Sequence, residues 1–111
     1  AVDGVVCGLL DGLDALRRHA TVDGRVLLTG GAARSAAVQG VLAGLVDLPV
    51  VVADVEEAVA TGAAVQATAV AEQVEHADVQ DRWGLGTGAA VPAAAVPQGV
   101  RDRYAALRDR T

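Results

Sequence analysis

The run Leu27-Leu28-Thr29-Gly30-Gly31-Ala32-Ala33-Arg34-Ser35 sets an apolar stretch of strand length against a turn of small residues that opens a helix. Gly30 and Gly31 permit positive φ and let the backbone pass close to a ligand. The unpaired N–H groups at the start of the following helix favour an anion. Phosphate binding is the chemistry such a loop does well. Ser35 is placed to cap the helix or to offer its hydroxyl to a ligand, and Arg34 to pair with phosphate or project into water. A Gly-Gly turn between strand and helix is also a common structural turn, so the residue types alone leave both readings open.

Other segments have plainer explanations. Gly84-Leu85-Gly86-Thr87-Gly88 has the glycine content of a phosphate loop, but no strand precedes it and no helix start follows, so it reads as linker. Asp54 and Glu57 stand at capping-box-like spacing, Asp replacing Ser or Thr, ahead of a helical pattern. Arg17, Arg18 and His19 close a helix, where basic groups suit the dipole. Cys7 falls in an apolar helical stripe, the usual place of a small inert thiol.

The elements that must position the glycine turn follow from periodicity. Val2, Val6, Leu9, Leu13 and Leu16, widened by Val5 and Leu10, define a helix over about 2 to 19. Thr21 to Gly24 is a turn, and residues 25 to 29 form a buried parallel strand. Val38, Val41, Leu42, Leu45 and Val46 make a second helix, closed by Asp47-Leu48-Pro49 before a β-branched strand at Val50 to Val52. Ligands of such strand-helix-strand units gather at the strands' carboxyl ends. A third helix is expected from Asp54, its apolar face carrying Val59, Ala63, Ala67, Val70 and Val74. Thr61-Gly62-Ala63-Ala64 within it predicts close approach of another backbone. Trp83 to Gln98 reads as a Gly/Ala/Pro-rich surface excursion, and Val100, Tyr104 and Leu107 as a last short helix.

Formal charge is -5, and the nine basic residues, all Arg, are scattered, so nucleic-acid binding is not expected. No apolar run reaches the ~20 residues of a membrane span, and the start has no signal-peptide pattern, which predicts a cytoplasmic protein without membrane contact. Met is absent even at position 1. A chain that begins inside a longer coding sequence, or that was processed, is therefore expected.

Gly30-Gly31-Ala32-Ala33-Arg34-Ser35 resembles the GGGARS signature of xylulokinases, and Glu57-Ala58-Val59-Ala60-Thr61-Gly62-Ala63-Ala64 resembles the later E-x-x-A-x-G-A-A segment. Both belong to the carboxyl-terminal domain of FGGY-type carbohydrate kinases. The opening helix, with Gly4-Val5-Val6 and Leu10-Asp11-Gly12-Leu13, and the closing Tyr104-Ala105-Ala106-Leu107 are similar to the family too, so the likeness covers nearly the whole chain. Ala32 stands where xylulokinases most often have a third glycine, as related glycerol kinases tolerate. Val38-Gln39-Gly40 departs from the family pattern at positions an adenine-side contact would use.

The resemblance implies an α/β fold: a partial ribonuclease-H-like lobe of the actin/hexokinase type, in the order helix-strand-helix-strand-helix plus a carboxyl-terminal tail. Residues 1–80 would form the nucleotide-side lobe segment and 81–111 an excursion and terminal helix of the same domain. It implies ATP with Mg²⁺ as cofactor, Gly31 and Ser35 facing the nucleotide, and Gly30 and Ala32 shaping the loop. The reaction implied is phosphorylation of a pentulose, D-xylulose to D-xylulose 5-phosphate, with the sugar held by an amino-terminal lobe. The family's catalytic aspartate lies upstream of the match, and none of Asp3, Asp11, Asp14, Asp23, Asp47 or Asp54 corresponds to it. A non-catalytic truncated module acting in protein association, or as a homo-oligomer across exposed strand edges, is the alternative. Without base or sugar lobe the isolated chain is expected to show no turnover of D-xylulose with ATP. ADP release by purified protein tests this, and turnover of about 1 per second or more surviving repurification would contradict it.

Overall fold

The computed structural model describes residues 1–110. Helix α1 (Val2–Arg17) leads through β1 (Val26–Leu28) to a 3-10 turn at Gly31–Arg34, then α2 (Ala36–Leu45) and β2 (Val50–Ala53). Beyond these lie α3 (Ala58–Glu72), α4 (His76–Arg82), β3 (Gly88–Ala90) and α5 (Val100–Arg108). The chain is thus α/β, with five α-helices and a three-stranded sheet among the described residues.

Strands β1 and β2 pair in parallel, Val26 opposite Val50 and Leu28 opposite Val52. Such strands cannot be joined by a tight turn, and α2 supplies the crossover. It packs on the sheet because Val38, Val41, Leu42 and Leu45 share a stripe. With Val6 and Leu10 of α1 they close a small core around Val50, to which Val26 and Leu28 add their inward side chains. Leu27 points to the opposite face and is 41% exposed. Cys7 is buried in α1, and that burial pushes its thiol pKa up, as expected of an inert core thiol.

The segment after Trp83 runs along the surface, as its composition suggests, but it holds a strand that the composition does not show. Gly88–Ala90 forms an antiparallel third strand, with Ala90 opposite Val51 and Gly88 opposite Ala53, so β2 is central. A Cβ on Gly88 would lie 2.0 Å from the Val52 carbonyl oxygen, which is why this strand begins with glycine. The chain then runs over α2, where Ala94 and Val96 occupy the space that side chains at Gly40 and Gly44 would fill. The unit 88–96 therefore covers one edge and one helix mostly with Gly and Ala, helped by Val91 and Val96.

Helix α3 departs from expectation in three ways. It begins at Ala58, not Asp54, and neither Asp54 nor Glu57 supplies a side-chain cap. Its buried residues are Val65 and Ala69, which meet Val79 of α4 and Leu85 in a second small core. Consequently the expected apolar face is turned to solvent, Val59 being 89% and Val70 77% exposed. The third departure is Gly62, where a Cβ would meet nothing within 4 Å, so no backbone approaches it among the described residues. With ten of the fifteen positions of α3 Ala or Val, either face could be read as the apolar one, and α4 decides which is covered.

Helix α5 is held to α1 mainly by charge. Arg101 reaches Asp14 at 2.7 Å and Asp11 at 3.1 Å, and Arg108 reaches Asp11 at 2.5 Å. The hydrogen bond from Arg108, with that from Arg101, holds the Asp11 carboxyl below the usual carboxylate range. Beneath them only Val100 is a buried apolar residue of α5, while Leu107 stays 60% exposed.

Two tests follow from this packing. Gly88→Ala forces the β2 and β3 backbones apart and should cost about 1–3 kcal/mol in urea unfolding, as overpacking does. Gly62→Ala, with open space for its Cβ, should instead stabilise by roughly 0.5–1 kcal/mol. Equal effects at the two positions would contradict the β2–β3 pairing. The second test concerns acid. Because the folded pKa of Asp11 is depressed, its contribution is present above its ordinary value of 3.8 and is lost as pH falls through the folded value. Protection of the α5 amides relative to intrinsic exchange should fall below about pH 4 in the parent, and Asp11→Asn should lower it already at neutral pH. A flat parent profile down to pH 2 would show that charge does not hold the helix.

Candidate functional site

The carboxyl ends of β1 and β2 open together on one edge of the sheet, as parallel pairing requires, and both chains leave it through loops. The first loop is Thr29 to Ser35. Gly30 takes φ +92°, a conformation that side chains resist, and it turns the chain out of β1. Gly31 is not left-handed, contrary to the expectation that both glycines supply positive φ; it begins the 3-10 turn. Its missing Cβ would point into open space. Nor does the strand feed α2 directly, because the 3-10 turn intervenes.

Backbone bookkeeping in this loop leaves donors over at its start. The Ala33 N–H donates to the Gly30 carbonyl and the Ser35 N–H to that of Ala32, each at 3.1 Å. The N–H groups of Gly31 and Ala32, first in the 3-10 turn, have no acceptor among the described residues. Ser35 is the N-cap of α2, its hydroxyl accepting from the Val38 N–H at 3.3 Å. Gln39 braces the turn from within α2, its side-chain amide donating to the Ala33 carbonyl at 2.5 Å.

The second loop, Asp54 to Glu57, joins β2 to α3. Between the two loops lies a cleft of about 1000 Å³, with Gly30 and Gly31 on one side and Asp54, Glu56 and Glu57 on the other. Of the residues proposed from sequence, Gly30 and Gly31 line it, whereas Ala32 and Ser35 do not. Arg34 is exposed at the rim, its guanidinium 3.7 Å from Glu56, a distance and exposure at which an ion pair contributes little. The cleft's charged side chains are thus three carboxylates and one guanidinium. Such a site suits a phosphate whose charge is already partly neutralised, or a ligand rich in hydroxyl donors, better than a bare anion. No group of three or more His, Cys, Asp or Glu side chains able to hold a metal ion exists among the described residues.

Asp54 is the residue that sequence reasoning passed over, having explained it as a helix cap. It follows β2 directly at its carboxyl end, the same signal that singled out Gly30 after β1. Its backbone N–H donates to the Thr87 carbonyl at 3.0 Å, and the exposed residue lines the cleft.

Residues 1–72 match the model of the C-terminal domain of the FGGY family of carbohydrate kinases. This chain belongs to that family. The match runs from the start of α1 to the last residue of α3, so both loops of the cleft fall within the FGGY domain, while α4, β3 and α5 lie beyond it. No curated protein and no solved structure matches the chain. Membership makes the chain part of a sugar-phosphorylating transferase and gives the two loops a shared context. No helix among the described residues is long and apolar enough to cross a membrane.

Proposed function

We propose that this chain is the nucleotide-side part of an ATP-dependent sugar kinase, and that its cleft holds the phosphates of MgATP against the Gly30-Gly31 turn. The observation that carries the reading is the pair of unpaired amides, Gly31 and Ala32, beside a large cleft at the carboxyl ends of two parallel strands. Amides so placed accept an anion without reorganisation, and fixed dipoles of this kind are most of what phosphoryl transfer asks of a protein.

The residues fit that role in distinct ways. Gly30 sets the direction of the turn, Gly31 keeps the space before the amides open, and Ser35 with Gln39 holds the turn rigid by capping and bracing it. A Mg²⁺ ion accompanying the nucleotide supplies charge neutralisation of the phosphates. The acceptor proposed is a pentulose, D-xylulose giving D-xylulose 5-phosphate, supported by the likeness of Gly30-Gly31-Ala32-Ala33-Arg34-Ser35 to the xylulokinase signature. The surrounding fold is proposed to be a partial ribonuclease-H-like lobe. The catalytic base and the sugar contacts are assigned to no residue of this chain.

Titration of ¹⁵N-labelled chain with MgADP is the test. The amide resonances of Gly31 and Ala32 should move first and furthest, and Gly31→Val should raise the dissociation constant about tenfold by filling the approach to them, the equivalent of one charge-assisted hydrogen bond. Ser35→Ala should do less, removing a cap worth about 1 kcal/mol. Shifts confined to residues away from the turn, or an unchanged constant for Gly31→Val, would make the turn a purely structural one.

A further inference from the structure

Residues 88–108 lie beyond the family match and run across β2, α2 and α1 in turn. Between β3 and α5 the chain forms a strap, residues 91 to 99, fixed at one end by the Val91 N–H, which donates to the Val50 carbonyl at 2.9 Å. The other end is Gly99, the N-cap of α5, and Arg103 of that helix donates to the Gln98 carbonyl at 3.1 Å. We propose that α5 is a charge-held latch: its ion pairs to α1 keep the strap pressed on α2, and screening them frees the strap, uncovers Cys7 and loosens the glycine turn. The proposal concerns the mechanics of the chain itself and stands whether or not the turn binds a nucleotide.

The seat of α5 is the first observation behind it. Asp11 and Asp14 both hold Arg101, Asp11 also holds Arg108, and these side chains are all partly open to solvent, where salt weakens an ion pair. Apolar burial adds little, since Val100 is the one buried residue of α5. An element attached in this way belongs to the low-stability end of a fold and opens before the rest. The second observation is what the seat covers. Cys7, Asp11 and Asp14 stand at i, i+4 and i+7, hence on the face of α1 that α5 occupies. Cys7 is fully buried there, and beside it a Cβ on Gly8 would lie 3.4 Å from the Tyr104 hydroxyl. The third is the grip of the strap on α2. The Ala94 N–H donates to the Gly40 carbonyl at 3.2 Å, and a Cβ on Gly44 would lie 2.6 Å from both the Ala94 carbonyl oxygen and a Val96 methyl. Gln39, next to Gly40, braces the Ala33 carbonyl of the turn, so a shift of α2 reaches the turn in one step.

Cys7 is the one cysteine of the chain, so its alkylation by neutral iodoacetamide reports the latch directly. Rates are read relative to the urea-unfolded chain in the same salt. Raising NaCl from about 10 mM to about 1 M shortens the Debye length from about 30 Å to about 3 Å and should speed labelling of the parent about tenfold. Arg101→Ala should label about tenfold faster already at low salt and lose most of the salt response. Arg82→Ala, which breaks an ion pair between α3 and α4, should label like the parent. Hydrogen exchange on the same samples should show the Ala33, Ser35 and Gly44 amides losing protection as Cys7 becomes reactive, with Val65 and Ala69 of α3 unchanged. Labelling that ignores both salt and Arg101→Ala would show that charge does not hold α5 shut. Fast labelling with full protection at Ala33, Ser35 and Gly44 would break the link from latch to turn. Loss of protection at Val65 and Ala69 in step with labelling would make the event unfolding of the whole chain, and the latch would be overturned.

Discussion

The parallel pairing of Val26–Leu28 with Val50–Val52 is the interaction on which the remaining structure depends. Parallel strands must leave the sheet at the same edge, so pairing them forces the Gly30 turn and the Asp54 loop to face one another. The same pairing requires a crossover, and α2 answers it while covering the inward side of both strands. Parallel strands are built from β-branched and leucine side chains on both faces, which is how β1 and β2 read, although β1 has no buried residue and its Leu27 face is open. Had the strands paired antiparallel, their exits would lie at opposite ends and no cleft would form between the loops.

That arrangement is held by little core. Four buried residues centre one cluster and three the other, and α3 with α4 forms a unit apart from α1, α2 and the sheet. The radius of gyration is 16.7 Å, against roughly 13 Å for a compact chain of this length. Apolar side chains that would thicken the core instead face outward, Val5, Leu9 and Leu16 on α1 and Val59 and Val70 on α3. Ion pairs take up part of the deficit: Arg17 with Asp47 at 2.7 Å ties α1 to the end of α2, and the Arg101 and Arg108 contacts tie α5 to α1. Exposed pairs of this kind are salt-sensitive and individually weak, so the outer helices are attached loosely compared with the β1–α2–β2 centre.

What could be read from the residues alone follows the same division. Elements whose side chains carry a clear period or an unbroken β-branched run, α1, β1, α2 and β2, were legible as elements, but the face of α1 was not, since Leu9 and Leu16 of the expected stripe are exposed while Cys7 and Leu10 are buried. Strand β3 was not, since Gly88-Ala89-Ala90 has no side-chain pattern to read and all three residues are exposed; its pairing is made by backbone alone. Helix α4 has a single buried residue, Val79, in a polar sequence, too little for a stripe. For α3 the helix was legible and its face was not, because Ala and Val occupy nearly every side. At the site, the Gly30 turn was visible through glycine's unusual backbone freedom. Asp54 had a competing local explanation, the capping box, which only the observed helix start at Ala58 removes.

Charge gives the cleft its chemical character. Three carboxylates against one arginine would repel a bare triphosphate, yet the two free amides of the Gly31 turn attract one. The two demands are compatible when they act on different parts of one ligand. The amides are short-ranged and fixed, so they select a group that can reach the turn itself, while the carboxylates act on whatever faces the β2–α3 loop. A phosphate chain neutralised by a divalent ion satisfies the first without penalty from the second, and hydroxyl donors satisfy the second directly. Under the nucleotide reading proposed above, an uncomplexed anion of the same size would satisfy only one, and the wall opposite the glycine turn would disfavour free phosphate.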